Sequence, residues 1–558
     1  MVIGALFFLS CDFLIGNDDN GDEKNGNDNG NGEAYTVGPL IQTNWQGSEP
    51  ANRLMPEING IKQTDCTLVA MSQIMKFHEH PKGVLEITIP EFTTSTLGLL
   101  IPSVEAGTVT LDWANMIDSY MGSYSETEAE ALATLFMVLA RARKTNFTEG
   151  HSGSGSVSFR EALFMYFGYD PAILSISRAD YTTEEWVSIM KQQIDFGMPV
   201  WYGGNNDKEG AERFSHYVVL DGYDSRGFFH FNFGYGGRHN GFYDLANSQF
   251  PQNISKNQTA TINIKPAHIV FTGEGTEASP YIITTAKQLP FVAREPNAHY
   301  RLENDINISS ANWQSAGTTP VPWAQIGTSN FSFEGVFDGN GKVISGLYIN
   351  TRSLNQGLFG HIRGGIVKNL GLEDVVINGV TQIGGIAGTV TQSAVISNCY
   401  TTGVITASGF NIGGIAGWIL DGSIVENCWS SLEIKGNGTR VGGLVGNVVN
   451  TNSTVRNSAA LSPRLVGNAN VERVYGMWTA GSTRPNNIAF AGMLNSTGTT
   501  DWERKTLASS GGLDFSTEQI RADGILGGRF TTENGWTVEN GKLPGFGRAL
   551  NLPQHLQQ

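Results

Sequence analysis

Cysteine is scarce: the 558-residue chain has four, at positions 11, 66, 399 and 428. They are too few and too scattered to form a disulfide framework. Basic charge is in deficit, with 36 Lys and Arg against 52 Asp and Glu and a net charge of −16. A chain without a basic field cannot hold a phosphate backbone, so nucleic acid is excluded as a partner. The apolar stretch Val2–Leu9 is too short to span a bilayer. The Asp and Asn alternation of residues 17–33 invites a calcium-loop reading. No window there combines the leading Asp, the turn Gly and the distant Glu, so an EF-hand is excluded as well.

What is present divides the chain. Val2–Leu9 runs into Leu9-Ser10-Cys11, a small-residue step before a cysteine, which resembles a bacterial lipoprotein signal. That resemblance implies export and lipidation of Cys11, with the protein on the outer membrane or cell surface, or secreted. Residues 17–33 contain only Asn, Asp, Gly, Glu and Lys and cannot bury a core, so they read as a disordered tether. The 69 glycines and only 16% charged residues point to a large β-rich portion further on. The length calls for several domains.

Chemistry centres on Thr64–Pro81, TDCTLVAMSQIMKFHEHP. Asp65 is a good N-cap, no Gly or Pro interrupts residues 67–79, and Leu68, Met71 and Met75 fall on one helical stripe. Cys66 then sits on the first helical turn, where unpaired N–H groups and the helix dipole favour a thiolate. It is the only cysteine of residues 38–266, so a thiol mechanism has one nucleophile. Its base must be His78, His80, His151, His216, His230 or His239. On a continuous helix His78 lies about 18 Å along the axis from Cys66, and His80 lies farther still. Ser215–Gly237, SHYVVLDGYDSRGFFHFNFGYGG, reads as a hairpin. A register with His216 opposite Asn232 and a loop at Gly222–Arg226 puts the Asn232 amide beside the His216 ring.

Five blocks in order, GPLIQTNWQGSEPANRLMP, TDCTLVAMSQIMKFHEHP, SGSGSVSFREALFMYFGY, SHYVVLDGYD and HFNFGYGGRHNGFYDL, resemble the streptopain-like cysteine peptidases, a papain-related family. The resemblance implies an α+β papain-like domain over residues 38–266 that cleaves protein or peptide substrates and needs no cofactor or metal. It implies Cys66 as nucleophile, His216 as base, Asn232 as the amide steadying the imidazole and Gln46 as the oxyanion donor. Asp65 stands where the family has a small Gly, and its charge opposes the thiolate that its cap favours. Phe233 and Tyr235 stand where the family carries tryptophans.

Beyond Pro266 the chain repeats itself. GGIAG at Gly384 and Gly413 and GGLVG at Gly442 are spaced by 29 residues, and Asn369, Asn398, Asn427 and Asn457 keep step with them. Short apolar runs between glycine turns predict an all-β parallel β-helix, a solenoid whose rungs bury one another. The segment resembles GLUG-motif repeats of bacterial surface proteins. Cys399 and Cys428 share one repeat position and should stack as small inward residues. Trp418 and Trp429 read as packing, with glycan stacking as the alternative, and the terminal GWTVENGKLPGFG reads as a cap over exposed strand edges.

The expected order is a signal (1–11), a tether (12–37), a peptidase domain (38–266), opening rungs (267–345), GLUG-type repeats (346–470) and final rungs with a cap (471–558). The expected function is a surface-anchored cysteine endopeptidase, membrane-bound through its lipid, whose β-helix contacts host protein or glycan. The alternative is an adhesin whose peptidase domain is weakened or inactive.

Overall fold

The structure, a computed structural model, describes residues 35–148, 152–206, 215–247, 250, 254–267, 269–309, 320–449, 452–479 and 485–557. Cys11 and the signal, most of the tether and His151 lie outside the described residues.

The first half is built on one antiparallel sheet. Its strands in chain order are β1 (Thr36–Val37), β2 (Leu174–Ser177), β3 (Val200–Asn205), β4 (Ser215–Asp224), β5 (Phe229–Asn232), β6 (Gly241–Tyr243) and β7 (Lys256–Ile262). They lie in the order β6-β5-β4-β3-β7-β2, with β1 also paired to β4. Among the described residues, four α-helices accompany the sheet: α1 (Cys66–His78), α2 (Glu126–Ala142), α3 (Phe159–Tyr166) and α4 (Thr183–Asp195). Ser125, Ser158 and Thr182 open α2, α3 and α4 with reciprocal capping boxes to Glu128, Glu161 and Glu185. These local signals fix where each helix begins.

Helix α1 departs from the one-stripe expectation, because every residue from Leu68 to Met75 is buried. It packs against β4 on one side and α2 on another, so no face is left to water. Ser72 and Gln73 are therefore buried polar groups inside an apolar helix.

The β4–β5 register also differs from the expected one. Val219 faces Asn232, Leu220 faces Phe231 and Tyr223 faces Phe229, with a bulge between Leu220 and Gly222. Two carboxylates cause the shift. Asp224 accepts the backbone N–H groups of Arg226 and Phe228, both at 3.0 Å, and Gly227 takes the left-handed conformation the turn needs. The turn therefore falls at Asp224–Phe228, beyond the Gly222–Arg226 loop expected from the strand pattern. Asp221, at the bulge, turns inward to accept the Ile41 N–H at 3.0 Å and to meet His230 Nδ1 at 2.6 Å.

The second half is a parallel β-solenoid. Ile383, Ile412, Val441 and Val471 stack rung on rung, as do Ala387, Ala416, Val445 and Tyr475 on a second sheet and Ile366, Val395, Ile424 and Thr454 on a third. The repeating asparagines mark a corner. Asn369, Asn398, Asn427 and Asn457 all have φ between 50° and 55°, a conformation that Asn tolerates better than most residues. The Asn398 amide donates to Asn369 Oδ1 at 3.2 Å, which links the corner from rung to rung. At Gly384 a Cβ would lie 2.5 Å from the Ala416 Cα of the next rung, so that corner admits no side chain. Cys399 and Cys428 are free, fully buried thiols facing the interior of the stack.

Trp429 is fully buried, lies parallel to Tyr400 at 4.7 Å and donates to the Pro544 carbonyl at 3.1 Å. It is a packing residue. The same contacts correct the reading of GWTVENGKLPGFG as an end cap. Trp536 and Phe546 stack on each other at 4.5 Å and pack at a tilt against Tyr400 at 6.1 and 5.7 Å, so the segment lies along the side of the solenoid. Its aromatic residues find their partners on a sheet face instead of at the last strand edge.

The two halves are joined firmly. Phe331 packs edge-on to Phe164 and Tyr166 of α3, Arg160 Nη2 donates to the Gln325 carbonyl at 3.0 Å, and Arg352 pairs with Asp180 at 2.6 Å.

Candidate active site

Asp65 has extended backbone angles, and its Oδ1 accepts the Leu68 N–H at 2.9 Å. This cap makes Cys66 the first residue of α1. Cys66 is half-buried where α1 meets β4. Burial and the Asp65 carboxylate push its thiol up to about 12, against the backbone N–H groups of Tyr217, Cys66 and Thr67, which favour the thiolate. The Tyr217 N–H links the two elements, because it places the sulfur beside the residue that follows His216.

His216 is the second residue of β4 and is 2% exposed. Its Nε2 meets the Phe233 carbonyl at 3.0 Å. A carbonyl only accepts, so Nε2 carries the proton and Nδ1 is the accepting nitrogen, with the Tyr235 hydroxyl 3.5 Å from it. The Tyr235 ring lies parallel to the imidazole at 4.8 Å, with the Phe233 ring at 6.2 Å. Burial lowers His216 to about 4, partly offset by the Phe233 carbonyl. At neutral pH the imidazole is a neutral acceptor.

Asn232 is buried but sits opposite Val219, three residues along β4 from His216. Its Nδ2 donates to the Thr43 carbonyl at 2.7 Å, and its Oδ1 accepts from Gln73 Nε2 at 3.3 Å and from the Gly234 N–H at 3.1 Å. The expectation that its amide faces the His216 ring across the hairpin is thus corrected. Asn232 shapes the Phe233–Gly234 turn, and the backbone carbonyl of that turn meets the imidazole.

Gln46 reaches the same turn from the other side. It forms a β-bridge with Tyr235, and the Gly236 N–H donates to the Trp45 carbonyl at 3.2 Å. Gln46 Nε2 donates to Ser48 Oγ at 2.7 Å. An amide nitrogen has two N–H bonds, so this contact leaves one to offer a ligand. Gly236 has a φ of 63°, and a Cβ there would lie 2.6 Å from Met121 Sδ and 3.2 Å from Gln46 Oε1. A side chain there would strain the backbone and displace Met121.

The other histidines have separate roles. His78 Nε2 meets the Ile264 carbonyl at 3.0 Å, His80 Nε2 meets the Gly168 carbonyl at 3.2 Å, and His230 pairs with Asp221. His239 packs edge-on to Phe233 and Tyr235.

Two positions went unremarked in the sequence. Gln73 Oε1 accepts from Thr43 Oγ1 at 3.1 Å and from the Trp45 N–H at 3.2 Å, while its Nε2 reaches Asn232. Through this one amide, α1 holds the segment leading to Gln46 and the turn carrying Phe233. The signal was the polar Ser72-Gln73 pair inside an apolar helix. Arg143, just past α2, donates to Thr67 Oγ1 at 2.8 Å and carried no local signal.

Residues 45–243 match the model of the Peptidase C10 family. The chain is 27% identical over 215 residues to streptopain of Streptococcus pyogenes serotype M28, covering 36% of this chain and 53% of that protein. It is 28% identical over 253 residues to the thiol protease/hemagglutinin PrtT of Porphyromonas gingivalis, covering 42% of this chain and 28% of that one. Among solved structures it is similar to active wild-type interpain A cysteine protease of Prevotella intermedia, at 29% identity and a TM-score of 0.37, covering 41% of this chain and 95% of the other. The chain thus spans about half the length of the streptopains it matches. Over residues 45–243 the chain is thus similar to the streptopain-like cysteine peptidases.

Proposed function

We propose that the protein is a cysteine endopeptidase in which Cys66 is the nucleophile and His216 the general base. The observation that carries this reading is the His216 Nε2 contact with the Phe233 carbonyl, which makes Nδ1 the basic nitrogen of a histidine next to Tyr217, whose N–H favours the Cys66 thiolate; the Tyr235 hydroxyl, 3.5 Å from Nδ1, yields that position in the reaction. Thiol and imidazole are both neutral at rest, so the proton passes from sulfur to Nδ1 as the sulfur attacks the scissile carbonyl. The tetrahedral oxyanion forms beside the Cys66 N–H at the helix start, with the Gln46 amide as second donor. The imidazolium then protonates the leaving amine, and water releases the acyl group from sulfur.

Asn232 acts in this scheme as a positioning residue for the turn that carries Phe233. The protein is exported and tethered by lipid at Cys11. The tether of residues 12–37 holds the peptidase domain clear of the membrane, and the solenoid contacts protein or glycan on a host surface. A Cys11→Ser variant should leave the membrane fraction, and its retention there would remove the lipoprotein assignment.

The competing reading, an adhesin with a weakened peptidase domain, is favoured by the Asp65 carboxylate, which with burial holds the Cys66 thiol protonated. Incubation with unfolded casein and with an epoxide thiol-protease inhibitor under reducing conditions separates the two. Cleavage, with the label on Cys66, supports the enzyme; neither cleavage nor labelling leaves the adhesin.

A further inference from the structure

We propose that Arg143 is the counter-charge that lets an acidic residue precede the nucleophile: acting through Thr67, it neutralises Asp65 and keeps Cys66 ionisable. The proposal rests on the reading of Cys66 as nucleophile and makes Arg143 a positioning residue.

The contacts form a relay. Arg143 Nη1 donates to Thr67 Oγ1 at 2.8 Å, and the Thr67 hydroxyl donates in turn to Asp65 Oδ1. The same Asp65 oxygen accepts the Leu68 N–H at 2.9 Å. Asp65 and Thr67, the two residues flanking Cys66, are thus both tied to one guanidinium brought from the end of α2. A neutral Asn or Ser would cap the helix as well as Asp65 does. The carboxylate adds only its charge, and at one residue from the sulfur that charge opposes the thiolate.

Arg143 is 6% exposed, and its guanidinium lies 3.9 Å above the Phe159 ring. A cation buried this deeply needs an anion nearby. Among the described residues its Nε has no hydrogen-bond partner, so the head group is incompletely satisfied by them. Structural satisfaction is therefore a weak reason for its position, whereas charge balance with Asp65 accounts for it. Among the described residues, the groups that face the thiol are Asp65 at the cap of its own helix, Tyr217 on β4, Tyr235 on the turn after β5, and Arg143, with His216 neutral beside Tyr217. Arg143 is the fixed cation of that set.

The test is the rate of Cys66 alkylation by iodoacetamide in the full chain, followed from pH 6 to 9 by peptide mass. Below the midpoint this rate tracks the thiolate fraction, and one pH unit in the midpoint is a tenfold change. Asp65→Asn keeps the cap and removes the charge, and should alkylate about tenfold faster at a given pH. Arg143→Met should alkylate about tenfold slower, and Arg143→Lys, which keeps the charge, should stay close to the parent protein. Asp65→Asn with Arg143→Met should return to within about threefold of the parent rate.

A double variant as slow as Arg143→Met alone, or an Asp65→Asn rate equal to the parent's, would overturn the proposal and leave Arg143 a packing residue. If Arg143→Met does not fold, Arg143→Gln, which stays polar and loses the charge, takes its place in each comparison, alone and with Asp65→Asn. A parent protein that does not alkylate at Cys66 at any pH overturns the nucleophile reading, and this proposal with it. Alkylation that is indifferent to Asp65 and Arg143 overturns only the proposal.

Discussion

Replacing Asn232 by alanine separates the hydrogen bonding described here from the arrangement expected of the family. The change removes three contacts, to the Thr43 carbonyl at 2.7 Å, from the Gly234 N–H at 3.1 Å and from Gln73 Nε2 at 3.3 Å. Each partner left buried without a bond costs about 1–3 kcal/mol, and the two longer contacts lie at the low end, so the loss should be about 3–4 kcal/mol. The Phe233 carbonyl remains to hold His216 Nε2, so kcat/KM of the folded protein should fall by less than about tenfold. Urea unfolding gives the first quantity, and peptide hydrolysis well below the unfolding midpoint gives the second. Loss of a group that orients a catalytic imidazole directly can cost about 10,000-fold in kcat. Near-parental stability with a loss of that order would refute the reasoning and return Asn232 to direct contact with the ring.

Gln46→Ala should lower kcat by about 100- to 1,000-fold, with an unchanged unfolding curve, because the side chain's contact is the exposed one to Ser48. Burial lowers His216 from 6.5 to about 4, so between those values the unfolded chain binds the proton more readily. Stability should therefore rise with pH across that window, by about 3 kcal/mol from this group; urea midpoints at pH 7, 5.5 and 4.5 should fall in that order, and less steeply in His216→Asn. In the solenoid, Asn398 has a φ of 50° and bonds Asn369. Asn398→Ala should cost about 2 kcal/mol from backbone and lost bond together, and Asn398→Gly should cost less, as thermal melting of the full chain would show.

The sequence reveals what is local and hides what is distant. The start of α1 was legible because the Asp65 cap acts on Leu68, three residues away, and the solenoid was legible because its asparagines and glycines recur at a fixed step. The β4–β5 hairpin was legible as an element but not in register. Asp221 takes its partners from Ile41 and His230, and a strand pattern contains no sign of them. The partners of Asn232 are likewise far off, at Thr43 and Gln73, so an amide beside a histidine in one hairpin looked like a pair. Pro544 and Phe546 were misplaced for the same reason, since Trp429 and Tyr400 lie on rungs formed long before them.

The claim that this site is a working thiol nucleophile is tested most directly by an epoxide thiol-protease inhibitor applied to the purified full chain under reducing conditions, with the adduct located by peptide mass. The account predicts one adduct, on Cys66, together with loss of casein cleavage, and neither in Cys66→Ala or His216→Ala. An unmodified Cys66 in a folded protein that leaves casein intact would contradict it.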